Sequence, residues 1–183
     1  MKEIEQNMPD GMSMHVENMP EQSIVYMRRT GMYGMENQAL MEQFKTWVMQ
    51  HNLFTEDAVI LGIALDDARC TKPEECRYDT CLIVSAQLNS ESLRAAVKNN
   101  CLDTNTKMGY LPINERTLPG GKYVVLVLPH TAEAVQKAWT EALPALIDMG
   151  YVPDTARPII ERYSKKMIDR HYCELCVPIL DTP

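Results

Sequence analysis

The chain has 183 residues, 45% of them hydrophobic, and its 18 Lys and Arg against 25 Asp and Glu give a formal net charge of −7. That length suits one domain that buries a sizeable core without disulfides or metal, and an acidic chain with no basic run is not built to neutralise a phosphate backbone, so direct nucleic-acid binding is not expected. The opening "MKEIEQNMPDGMSM" lacks a signal-peptide core, and nowhere do about 18 apolar residues follow one another, which points away from the membrane and to the cytoplasm.

After a loose start, "SIVYMRR" (23–29) reads as a strand and "TGMYG" as a turn. "MENQALMEQFKTWVMQHN" then places Met35, Ala39, Leu40, Phe44, Trp47 and Val48 at helical spacing, which predicts a helix with one buried face. "AVILGIAL" (58–65) and "RYDTCLIVSA" (77–86) read as strands joined by the polar segment "DDARCTKPEEC". Between 89 and 109 a short helix around "SESLRAAV" is expected, capped by Ser90 or Ser92.

The order then recurs. "GYLPINERTL" supplies a strand, Pro119, Gly120 and Gly121 a turn, and "KYVVLVL" (122–128) a strand. The helix "TAEAVQKAWTEALPALIDMG" turns Val135, Ala138, Trp139, Ala142 and Leu146 inward and ends near Gly150, a suitable C-cap. Pro144 should bend or shorten it, because the ring opposes the carbonyl four residues back. "RPIIERY" and "HYCELCVPI" close the chain as strands.

"SIVYM" aligns with "KYVVL", and "YDTCLIV" (78–84) with "YCELCVP" (172–178). Element order agrees better than identity, so the expectation is a single α+β domain spanning 1–183. It is a duplicated strand-helix-strand-strand unit, with pseudo-repeats at about 12–88 and 110–180. The duplicate forms a broadly antiparallel sheet with helices on one face and a ligand cleft on the other.

Six cysteines stand at 70, 76, 81, 101, 173 and 176. Without a secretory signal they read as free thiols, and in "CELC" on a strand Cys173 and Cys176 point to opposite faces, so a structural role is expected. The histidines His15, His51, His130 and His171 form no metal motif, no Ser-His-Asp spacing occurs, and no cofactor is implied. His130, after Pro129 at a helix start, reads as a structural or cap residue.

Two acids stand among apolar strand residues, Glu161 in "PIIERY" and Glu174 in "YCELCVPI". Alternation puts Glu161 with Ile159 and Tyr163, and Glu174 with Tyr172 and Cys176, opposite the apolar set Cys173, Leu175, Val177 and Ile179 that should meet the helices. If both acids enter one concavity, Tyr26 and Tyr78 from the matched half complete its wall. Such a cavity suits an organic cation: each aromatic face contributes about 0.5 to 2 kcal/mol. A carboxylate at about 4 Å adds roughly 4 kcal/mol at an effective dielectric near 20, before desolvation. The plainer alternative pairs Glu161 with Arg157 or Arg162, and Glu174 with Lys122, Lys165 or Arg170.

In "VYMRRTGMY", "YDTCLIV", "LPGGKYVVLVLPH", "AWTEALPALIDMGY", "PIIERY" and "YCELCVPI", taken in order, the chain resembles the GyrI-like small-molecule-binding family from about residue 12 to 180. That family also supplies the effector-binding domain of multidrug-responsive transcription regulators. The resemblance implies two strand-helix-strand-strand modules with a ligand cleft between them, and a pocket acid in the penultimate strand, which matches Glu161. Glu174 matches an acid in the last strand. The regulators carry a helix-turn-helix domain first, and the roughly 20 residues before "SIVYMRR" are too few for one.

The expected function is therefore binding of a hydrophobic, cationic or aromatic small molecule. Glu161 provides charge, and Glu174, Tyr26, Tyr78, Tyr163 and Trp139 are wall or supporting groups. Two alternatives stand beside it: a hydrolase of reactive electrophiles using Glu161 or Glu174, and a protein-interaction module resembling topoisomerase inhibitors.

Overall fold

The computed structural model describes residues 6–7, 13–85, 90–100 and 111–181. It divides into two units, one made of Met1–Glu21 with Pro119–Pro183 and the other of Gln22–Leu118.

The Gln22–Leu118 unit contains strands β3 (Gln22–Thr30), β4 (Val59–Ala64), β5 (Arg77–Ile83) and β6 (Asn114–Leu118), and helices α1 (Met35–Gln50) and α2 (Ser90–Asn100). β5 pairs with β4 and β3, and β3 with β6, all antiparallel. α1 buries Leu40, Phe44, Trp47 and Val48 as its spacing predicts, and Met41 with them, whereas Met35 and Ala39 of the expected stripe lie exposed in its first turns. The helix stops in a Schellman arrangement: Asn52 takes a left-handed φ of 56°, its N–H donates to Met49 O at 3.0 Å, and Leu53 N–H donates to Val48 O at 2.9 Å. Arg29 donates to Asn37 and Glu36 at the start of α1, so α1 lies on the sheet face shared by Arg29 and Tyr78.

The other unit contains β1 (Gln6–Asn7), β2 (Ser13–Met19), β7 (Gly121–Pro129), β8 (Ile160–Ser164) and β9 (Tyr172–Pro178), with helices α3 (Ala132–Asp148) and α4 (Lys165–Ile168). Its antiparallel order is β1, β2, β7, β9, β8. The stretch read from sequence as a loose start is thus the strand β2, whose partner β7 lies far along the chain, with Met14 opposite Leu126. The core joins Met14 of β2, Val124, Leu126 and Leu128 of β7, and Cys173, Leu175 and Val177 of β9 to Ala138, Ala142 and Leu146 of α3. Small residues one turn apart at 138 and 142 let the helix approach the sheet closely.

Thr131 caps α3 by accepting a hydrogen bond from Ala134 N–H at 3.2 Å. The helix ends as expected at Gly150, where φ is +88°, with Gly150 N–H donating to Ile147 O and Tyr151 N–H to Leu146 O, both at 2.9 Å. Pro144 does not shorten it: α3 runs on to Asp148, with the proline on its exposed side.

The two units repeat one ladder scheme, β3–β5–β4 and β7–β9–β8. The alignment of Tyr78 with Tyr172 is one residue out. It would match Asp79, on the face away from α1, with Cys173, which is packed under α3. A one-residue slip flips every side chain to the other face. Matching Asp79 to Glu174 and Cys81 to Cys176 preserves the faces.

Candidate functional site

Register decides where the two acids go. Glu161 lies opposite Leu175, on the face that packs against α3, whereas Arg162 lies opposite Glu174 on the reverse face. Glu161 and Glu174 therefore do not share a concavity. The short strand carrying Glu161 has a charged residue on each face, Glu161 on one and Arg162 on the other, so alternation alone did not say which face met the helix.

On the α3 side, Trp139 Nε1–H donates to Glu161 Oε1 at 2.5 Å and the Tyr163 hydroxyl donates to Glu161 Oε2 at 3.1 Å. All three side chains are half-buried. Trp139 and Tyr163 also pack on the core of this unit. Tyr163 is two residues from Glu161 along β8, hence on the same face, and Trp139 comes from the middle of α3, one position after buried Ala138. Neither donor carries a charge, so both orient the carboxylate without adding a formal charge to it. The ring of His130, the residue after β7, stands 5.5 Å from that of Tyr163, centroid to centroid. Burial, and then the adjacent Glu161 carboxylate, push the Tyr163 hydroxyl pKa above its ordinary value, so it remains a proton donor near neutrality. The cluster presents a held carboxylate among aromatic faces, a combination suited to attracting an organic cation.

On the reverse face Glu174, only 8% exposed, is engaged by Arg162, whose Nε donates to Glu174 Oε2 at 2.7 Å. The same guanidinium donates Nη1 and Nη2 to the two Glu17 oxygens at 3.0 and 2.8 Å. Burial alone would lower the Arg162 pKa, but the hydrogen bonds to Glu17 and Glu174 outweigh it and hold the pKa above its ordinary value. Glu17 is held below the usual carboxylate range by the Arg162 hydrogen bond, with burial acting the other way. Glu174 thus sits in an ion-pair network. Its sequence signal was present: Arg162 points opposite to Glu161, and Glu174 lies on the side away from the apolar set. Glu17 lacked a signal because its strand was not recognised.

Tyr26 and Tyr78 do not share a face either. Tyr26 lies opposite Cys81, on the side away from α1, and has the guanidinium carbons of Arg28 and Arg116 each 5.2 Å from its ring centroid. Tyr78 lies opposite Arg29 and makes an edge contact with Tyr33, at 6.4 Å between centroids. Of the six candidate residues, Trp139, Glu161 and Tyr163 come together on one face and Glu174 lies on the reverse face of the same unit; Tyr26 and Tyr78 belong to the Gln22–Leu118 unit, on opposite faces of its strands.

Of the alternative partners, Arg157 pairs with Asp154, Lys122 with Asp181 and Lys165 with Asp169. Among the described residues no group of three or more His, Cys, Asp or Glu side chains could hold a metal ion, and no helix is long and apolar enough to cross a membrane.

An antiparallel α+β chain with an acid set among aromatic rings is the build of a small-molecule-binding domain. Residues 12–180 match the GyrI-like small molecule binding domain, and the chain belongs to that family. It is 38% identical over 169 residues to the protein of Bacillus subtilis (strain 168) named "SPbeta prophage-derived putative transcriptional regulator YosT", covering 92% of this chain and 99% of that one. Its fold is similar to EcmrR in a complex with DNA, with a TM-score of 0.61 at 13% identity over 93% of this chain; the match spans 58% of the EcmrR chain. It is also similar to SAV2435 bound to tetraphenylphosphonium, with a TM-score of 0.53 at 15% identity, covering 91% of this chain and 93% of that one. A protein named as a putative transcriptional regulator is thus among its relatives.

Proposed function

We propose that this protein binds a hydrophobic, aromatic organic cation in the cytoplasm, with Glu161 as the charge-complementary group and Trp139 and Tyr163 as the residues that position it. The observation that carries the reading is the half-buried Glu161 carboxylate, which accepts hydrogen bonds from the aromatic side chains of Trp139 and Tyr163. The likeness to SAV2435, whose structure holds tetraphenylphosphonium, supports the ligand class. A cation about 4 Å from a carboxylate gains roughly 4 kcal/mol at an effective dielectric near 20. Desolvation removes part of that gain, and a net of about 1.4 to 2.8 kcal/mol corresponds to a ten- to hundredfold effect on affinity.

The test is calorimetric titration with tetraphenylphosphonium and with neutral triphenylphosphine oxide, on wild type and Glu161→Gln. The substitution keeps the acceptor for Trp139 and removes the charge. Expected are cation binding weakened by roughly ten- to a hundredfold and unchanged binding of the neutral compound. Equal affinities of both proteins for the cation would remove Glu161 from the site.

A further inference from the structure

The face of the Gln22–Leu118 unit turned away from α1 holds a second charged cluster, which the Glu161 site does not use. Arg28 of β3 donates Nε to Asp79 Oδ1 at 2.6 Å and Nη2 to Oδ2 at 2.9 Å, and Arg116 of β6 donates Nη2 to the same Oδ2 at 2.9 Å. Asp79 is fully buried, whereas the Arg28 and Arg116 side chains remain 33% and 24% exposed. Two guanidinium groups on one carboxylate leave an excess of one positive charge. Both also stand beside the ring of Tyr26, whose negative π face favours cations.

Like charges this close repel, and the buried carboxylate offsets that repulsion while holding both side chains against Tyr26. A guanidinium has five N–H donors, of which Arg28 commits two and Arg116 one to Asp79. Arg116 Nε is buried and has no hydrogen-bond partner among the described residues. That atom is closed to solvent, so an incoming anion meets the exposed remainder of the two side chains, 33% of Arg28 and 24% of Arg116, and Nε–H reports on it from alongside. The planar fork of arginine matches the oxygens of carboxylate and phosphate, which a simple ion pair with Asp79 does not exhaust.

We propose that Arg28 and Arg116, held by Asp79 and Tyr26, form a binding site for a small oxyanion, a carboxylate or a phosphate. The site is separate from the cation-binding reading of Glu161, and neither depends on the other. Asp79 is the positioning residue, and the uncommitted N–H groups of the two arginines are the ligand contacts.

The arginine Nε–H resonances of the isotope-labelled full chain would be followed by NMR during titration with inorganic phosphate and, separately, with benzoate, at constant ionic strength set by sodium chloride. A saturable shift of Arg116 Nε–H with phosphate alone assigns the site to phosphate groups, with benzoate alone to carboxylates, and with both to oxyanions generally. Arg116→Lys keeps a positive charge over buried Asp79 and so keeps the fold, but it lacks the fork. Expected is affinity at least tenfold weaker, read from Arg28 Nε–H, with Arg28→Lys read from Arg116 Nε–H as the matching control. Neither anion giving a saturable shift beyond the chloride control overturns the proposal, as does undiminished affinity in both lysine variants.

Discussion

Replacing Arg162 by methionine keeps the apolar length of the side chain and removes the charge that Glu174 and Glu17 share. The two acids are not equally affected. Glu174 is 8% exposed, so losing its partner strands a buried carboxylate, an event that costs about 3 kcal/mol or more. The Glu17 side chain is 34% exposed and can rehydrate, so its share is at most about 1 kcal/mol. The expected loss is therefore about 3 to 4 kcal/mol, or roughly 6 to 16 °C in melting temperature for a chain of this size. Urea denaturation at neutral pH measures it, and Arg162→Met combined with Glu174→Leu should recover most of it because no buried charge then remains. The pH dependence has a definite sign. Glu17 has a folded-state pKa below its ordinary 4.5, so its contribution is present above about that pH and is lost as pH falls through the lowered value. The part of the wild-type advantage owed to Glu17 should accordingly shrink in acid. A methionine variant within about 1 kcal/mol of wild type at neutral pH would refute the argument, since that is the range of an exposed pair.

Gly120→Ala should destabilise by roughly 2 to 4 kcal/mol, because a Cβ there would stand 2.6 Å from Glu21 N and Met19 O, backbone atoms that cannot rotate aside; the urea midpoint reads it. Pro144→Ala should raise the melting temperature: it restores an N–H to the interior of α3 at an exposed position, a gain of about 1 to 3 kcal/mol, and an unchanged or lower value would show that the proline is accommodated without cost. Among the five described cysteines, Cys70 alone should react rapidly with iodoacetamide under native conditions, because Cys76, Cys81, Cys173 and Cys176 are buried, and burial pushes the Cys173 and Cys176 thiols up to about 12. Peptide mass spectrometry before and after denaturation checks the order.

Elements whose pattern is local were legible. The stripe Leu40, Phe44 and Val48 and the stripe Ala138, Ala142 and Leu146 recur every four residues, and each became the buried side of its helix. Gly150 marked a helix end because few other residues accept its φ of +88°. β2 was not legible: only Met14 of Ser13–Met19 is fully buried, and its ladder partner is Val127 to Gly121, distant in sequence. The site was half legible for a related reason. Glu161 was conspicuous as an acid among isoleucines, and Trp139 and Tyr163 do join it, but which face of β8 it occupied depended on the register with β9, which no pattern inside "PIIERY" encodes.

The ladders also explain why the second unit does not contain a copy of that site. The row Leu126, Leu175 and Glu161 across β7, β9 and β8 corresponds to the row Met27, Thr80 and Gly62 across β3, β5 and β4 once Asp79 is matched with Glu174. Where one unit presents a carboxylate to its helix face, the other has no side chain at all. Two residues further along, tyrosine in the first is alanine in the second, Tyr163 against Ala64. On the reverse faces the charges are inverted: an arginine between two glutamates in one unit, an aspartate between two arginines in the other. A common strand order therefore fixes where side chains can point, while the choice of residue at a few rows gives each unit a different chemistry. The proposed cation site on the helix face of one unit and the proposed oxyanion site on the reverse face of the other both rest on those choices.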